Sequence, residues 1–196
     1  AALGSGGIRS RYMNSTFLDI TSFGLYKSTN GGTSFSKITS VNNGVGISNL
    51  EEINDLDIQT VSNRLWMSTN RNIYGGSNGG RFWYSDDATT FTRATPNFPN
   101  LTGGIDATSY RRTEIAPSHI DTDTHYVLVQ TTTTSATADS GGRLPLLFKT
   151  TDNFTNLTLL NTPDDVGTDM PDNDFTRGQH GYDLELEIDP TSNDII

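Results

Sequence analysis

The chain has 196 residues, of which 33% are hydrophobic, and it is rich in Thr, Ser, Asn, Asp and Gly, a mix that excludes a compact helical core. A formal net charge of −10, from 23 acids against 13 bases, works against nucleic acid or an anionic membrane as partner, because both select a cationic footprint. There is no cysteine, so disulfide and thiolate chemistry are excluded, and no apolar run has transmembrane length.

The opening "AALGSGG" has neither the charged start nor the apolar core of an export signal, so it reads as a mature or internal segment. Residues 17–40 read as two closing strands, "FLDITSFGLYKST" and "FSKITS". Between them lies "STNGGTSF", a turn whose residue types assign its parts. Asn30 accepts backbone N–H groups ahead of it, Ser28 bonds back to the same loop, Gly31 and Gly32 allow positive φ, and Phe35 drops beneath the turn. Residues 50–96 supply four strands, "INDLDIQT", "RLWMSTN", "GRFWYSD" and "FTRAT", and a second turn, "YSDDATTF". Aligned on its last residue, this turn puts Asp86 in the column of Asn30 and Phe91 in that of Phe35. Residues 110–162 repeat the plan through "RTEIAP", "HYVLVQTTTT", "LPLLFKTT" and "TNLTLLN", with Asp152 and Leu157 in the same two columns. Residues 182–196 open a further unit, where Leu184, Leu186 and Ile188 alternate as on a strand with one buried face. A second column, an acid followed by isoleucine, places Ile58, Ile115 and Ile188 together. Two columns recurring together at roughly 60 residues predict an all-β repeat of four-stranded units.

The pattern Ser-x-Asp-x-Gly-x-x-aromatic resembles the Asp-box, or BNR repeat, of sialidases, xyloglucanases and sortilin-like receptors. The first turn matches it at Ser28 and Gly32, with Asn30 for Asp and Phe35 for Trp. The second departs at Tyr84 and Ala88, and the third at Thr150, Phe154 and Leu157. The resemblance implies a β-propeller of four-stranded antiparallel blades, present here as a partial propeller of two whole and two partial blades. The remaining blades would come from the rest of the chain or from another chain. It also implies a structural role for Ser28, Asn30, Gly32, Phe35, Asp86, Phe91, Asp152 and Leu157, on the periphery and away from any ligand face. The stretches "RLWMSTNRNIYGG" and "GQHGYDLELEIDPTSNDII" are similar to exported Asp-box proteins of Bacteroidota, which are secreted or held at the cell surface and often leave through the type IX secretion machinery. The implied function is a non-catalytic extracellular module for adhesion or for glycan or protein binding. The alternative is a glycoside hydrolase of xyloglucanase or sialidase type, with catalytic carboxylates partly outside this segment. The Arg-Ile-Pro signature usual near a sialidase's start is missing.

On the ligand face that this resemblance implies, Gln179, His180, Tyr182 and Asp183 stand at the start of an innermost strand, with loop packing as their plainer reading, and Arg111 and Arg112 hold the analogous place one unit earlier. Trp66, Phe82, Trp83 and Tyr84 would serve as carbohydrate platforms if exposed, although their alternation places half of them between sheets. The loops are Gly75–Gly80, a hairpin; Thr131–Gly142, a polar excursion; and Thr162–Asp183, a long connection. Asp169, Asp172 and Asp174 in the last of these are candidate calcium ligands, since calcium takes six to eight oxygens, but their spacing is not that of an EF-hand and a solvated acidic loop accounts for them. No catalytic residue and no other cofactor is expected.

Overall fold

The computed structural model describes residues 2–3, 24–42, 53–69, 80–99, 110–131, 145–161, 163, 175–176 and 184–195. The described residues form twelve strands and no helix, and therefore none long and apolar enough to cross a membrane.

A first sheet is built from β1 (Ala2–Leu3), β2 (Gly24–Lys27) and β3 (Ser36–Lys37). The second is an antiparallel meander of β5 (Ile53–Gln59), β6 (Arg64–Thr69), β7 (Phe82–Ser85) and β8 (Thr90–Ala94), with β4 (Ser40–Asn42) added parallel to β8. The third is a four-stranded antiparallel meander of β9 (Tyr110–Pro117), β10 (Thr124–Thr131), β11 (Pro145–Thr151) and β12 (Thr158–Leu159). Residues 184–188 then run alongside the third sheet, and Ile188 bridges back to Ile195.

Period-two alternation sends neighbouring side chains into different cores. Met67, Trp83 and Phe91 pack on Leu25 and Ile38 of the first sheet. Trp66 and Phe82, one residue away on the same strands, pack on Ile115, Val127, Val129 and Phe148 of the third. Tyr126, Leu128 and Leu147 face the other way, onto Leu184, Leu186 and Ile188. The middle sheets are thus buried on both faces, which is why every residue of β10 is buried. Three cores in series, each shared by consecutive sheets, replace the single core of a two-layer sandwich. Trp66, Trp83 and Phe82 are each 1% exposed, so they pack sheets together and present no platform to a sugar.

The outer edges are linked in a repeating way. Beyond Asn30 the chain reaches Ser40, which pairs in parallel with Thr90 just past the next turn. Asn97 stands as far beyond Asp87 as Ser40 does beyond Asn30, and it makes a parallel bridge to Asn156. Its N–H donates to Thr155 O at 2.8 Å, and its carbonyl accepts from Leu157 N at 2.9 Å.

The isoleucine column needs correction. The hairpins close at Gln59–Arg64, Ser118–Thr124 and Asp189–Asp194. Counting back from them, Ile58 corresponds to Pro117 and Ile188, whereas Ile115 corresponds to Leu56 and Leu186. An offset of two residues leaves each side chain on the same face, so the hydrophobic pattern cannot register it.

Candidate functional site

Three corner turns join β2 to β3, β7 to β8 and β11 to β12. In the first, Asn30 Oδ1 accepts from Ser34 N at 2.9 Å and from Ser28 Oγ at 3.0 Å, while Gly32 N donates to Ser28 Oγ at 2.8 Å. Gly31 and Gly32 take φ of 67° and 89°. In the third, Thr150 Oγ1 donates to Asp152 Oδ1 at 2.7 Å, and the N–H groups of Asn156 and Thr155 reach the same oxygen at 2.9 and 3.1 Å. Asn153 and Phe154 hold the positive φ there. The backbone N–H and side-chain amide of Asn156 keep the Asp152 carboxyl well below the usual carboxylate range.

The second turn is held by Asp87, not by Asp86. Ser85 Oγ donates to Asp87 Oδ1 at 3.0 Å, and the N–H groups of Thr90 and Thr89 each donate to it at 2.7 Å. The Thr90 bond leads in drawing the Asp87 carboxyl downward. Asp86 instead pairs with Arg64, Nε to Oδ1 at 2.7 Å and Nη2 to Oδ2 at 3.1 Å, and the guanidinium lies 4.5 Å over the Tyr84 ring. Ser85, not Tyr84, is therefore the hydroxyl residue of this turn. The loop between acid and apolar anchor is one residue shorter here than in the other copies, so alignment on Phe91 slid the acid by one position. Ala88 then matches Gly31 and Asn153, and all three have positive φ.

The apolar anchors diverge. Phe91 and Leu157 are 0% and 4% exposed, each packed with the sheet before its own. Phe35, expected beneath its turn, is 50% exposed. It belongs to the first described sheet and lines a cleft of about 420 Å³ with Leu25, Ile38, Leu56, Leu65 and Phe91. The second and third turns are each also tied to the unit before: Lys27 Nζ donates to Asp87 O at 3.2 Å, and Asn97 Nδ2 to Asn156 Oδ1 at 3.1 Å.

The first strands of the second and third meanders, β5 and β9, bring together charged groups that sequence reading left unassigned. Asp55 Oδ2 accepts from Ile115 N at 3.2 Å across the gap between sheets. Burial pushes the Asp55 carboxyl up to about 6, with Asp57 and Glu187 adding repulsion. Glu114, 4% exposed, is pushed up to about 7 by burial, although Arg112 Nε lies 2.7 Å from its Oε1 and opposes the rise. Burial also raises Asp57 and Glu187. The signal for Asp57, Glu114 and Glu187 was present in the recurring acid before an isoleucine, whereas nothing in that column pointed to Asp55. The meaning of the column depended on the strands lying side by side.

Arg112, expected at a ligand face, is occupied by Glu114 and by Leu184 O at 2.9 Å, so it bridges the third sheet to the segment at residues 184–188. Arg111 lies in β9, and its side chain is outside the described residues. Gln179, His180, Tyr182 and Asp183, and the calcium candidates Asp169, Asp172 and Asp174, likewise lie outside them. Among the described residues no group of three or more His, Asp or Glu side chains is placed to hold a metal ion. The inner hairpin turns form a relay, Gln59 Nε2 donating to Asp121 O at 3.1 Å and Asn193 Nδ2 to Asp121 Oδ2 at 2.7 Å. The corner carboxylates of Asp87 and Asp152 accept backbone and hydroxyl donors and are suited to holding structure, whereas burial pushes the Asp55 and Glu114 carboxyls up. No protein-family profile, curated protein or solved structure matches the chain.

Proposed function

We propose that the chain is a segment of an Asp-box β-propeller serving outside the cell as a non-catalytic module for adhesion or for glycan or protein binding. The observation that carries this reading is the recurrence of one turn, a hydroxyl beside an acid or amide, in three successive sheets, with the second and third turns each tied to the unit before. A turn whose acceptors are filled by its own backbone and hydroxyl leaves ligand contact to other segments of the chain, for which Arg111, Gln179, His180, Tyr182 and Asp183 are the proposed residues. Further blades, from the rest of the chain or a partner chain, complete the ring, and the module reaches a secreted or cell-surface location through secretion machinery of the type IX kind. Retention of the full-length protein on a glycan array, without turnover of the bound sugars, tests this. Absence of binding both to the array and to intact cell surfaces rejects it.

A second reading is favoured by one observation. Asp55 and Glu114 are carboxyls displaced toward neutrality at the inner edge, and a glycoside hydrolase needs one such group as its general acid. Release of reducing sugar from a polysaccharide panel, lost in Glu114→Gln, would establish that enzyme in place of the binding module.

A further inference from the structure

Asn30 stands where the other two turns carry Asp87 and Asp152, and the residue after it is glycine. We propose that this turn is a self-modification site, at which the Asn30 carboxamide is converted by its own backbone to a carboxylate.

The reaction is intramolecular. The Gly31 backbone nitrogen attacks Asn30 Cγ; an N–Cγ bond forms, the Cγ–Nδ2 bond breaks, and ammonia leaves with the proton that the Gly31 amide gives up. Water then opens the five-membered imide. Addition at Cγ yields aspartate at this position, and addition at the main-chain carbonyl yields isoaspartate. The net change is one water consumed and one ammonia released, with no oxidant or reductant.

Three features of the turn favour it. The Ser34 N–H and the Ser28 hydroxyl both point at Asn30 Oδ1, at 2.9 and 3.0 Å, and this oxygen takes the negative charge as Gly31 adds. Asn30 Nδ2 donates to Ser34 Oγ at 2.9 Å, so a hydroxyl lies beside the leaving nitrogen to return a proton. Gly31 has no Cβ to hinder the approach of its nitrogen to Asn30 Cγ, and nothing lies within 4 Å of where a Cβ would sit. The product is also selected, because a carboxylate at this position meets the donors that already hold Asp87 and Asp152, whereas isoaspartate lengthens the main chain and breaks their register.

The test is mass spectrometry of the folded chain held in mildly alkaline heavy-oxygen water, against the same chain denatured first. Trypsin cutting after Lys27 and Lys37 isolates Ser28–Lys37, and electron-transfer fragmentation separates aspartate from isoaspartate. The expected result is solvent oxygen in this peptide from the folded chain, with aspartate the major product, and isoaspartate the major product from the denatured chain. Ser28→Ala slows conversion in the folded chain by roughly tenfold, and Ser28→Thr, which copies Thr150, restores it. The proposal is overturned if Asn30 stays intact in the folded chain after the denatured chain has converted. It is equally overturned if both give the same isoaspartate-rich mixture, or if Ser28→Ala leaves the rate unchanged.

Discussion

Asp55 reaches out of its own sheet to the next one, where its Oδ2 accepts the N–H of Ile115 at 3.2 Å. The bond joins two sheets through a carboxyl whose ionisation is opposed by burial, and the pH dependence of stability follows. Asp55 and Glu114 have folded-state values of about 6 and about 7, above their ordinary 3.8 and 4.5. Between those limits the folded chain holds more protons than the unfolded one, so these groups lower stability as pH rises from about 4 to about 7. Buried His125, pushed down to about 4 from 6.5 by burial, acts in the opposite direction over much of the same range. Two carboxyls outweigh one imidazole. The urea midpoint is expected to fall as pH rises from about 5 to about 8, and Asp55→Asn combined with Glu114→Gln should reverse that slope.

The two adjacent acids of the second turn are expected to differ in consequence. Asp87→Ala strands the N–H groups of Thr89 and Thr90 and releases the Ser85 hydroxyl, so the melting temperature should drop by several degrees. Asp86→Ala removes an ion pair whose carboxylate is 62% exposed, and exposed pairs contribute under about 1 kcal/mol. Scanning calorimetry of the two variants side by side checks this. An equal loss would return Asp86 to the role the sequence column gave it.

That pair of residues marks how far the sequence was legible. Strand identity and the repeating corners could be read because alternation and turn chemistry are local properties. "DD" followed by a shortened loop offers two equally good acids, and only hydrogen-bond geometry separates them. Ile115 was displaced by two residues for a related reason, since a strand pattern of period two looks the same after an even shift. Asp57, Glu114 and Glu187 were visible as a column of acids, and Asp55 was not. Their raised values come from three strands meeting in space, a long-range property that no single window contains. Phe35 was expected to drop beneath its turn on the turn's residue types. Burial of the anchor, however, depends on the sheet before it, not on the turn.

Ala88 carries a cost that its counterpart Gly31 avoids. Its φ of 51° lies in the left-handed region, where a Cβ crowds the following carbonyl. Ala88→Gly is expected to stabilise the chain by about 0.5–1 kcal/mol, as strain relief exceeds the added freedom of the unfolded chain. The check is a higher denaturation midpoint at unchanged m-value. A lower midpoint would mean that the Cβ, which lines the cleft beside Phe91, contributes more packing than strain.

Trp66 is the side chain on which the second and third sheets most depend. It is 1% exposed, and its ring lies 4.5 Å from His125 and 5.1 Å from Phe154, both of the third sheet's hairpins. Trp66→Ala should cost about 3–5 kcal/mol, because it removes a large buried surface and leaves a cavity between sheets that are each held on both faces. Trp66→Phe should cost less, because the phenyl ring still fills part of the same space. Trp66 Nε1 is buried with no hydrogen-bond partner among the described residues, so the smaller ring also removes an unsatisfied donor. Urea unfolding followed through Trp83, which packs on the opposite face, measures both variants. A Trp66→Ala loss no larger than that of Leu56→Ala, at a residue already 37% exposed, would show that the two sheets do not rely on this contact.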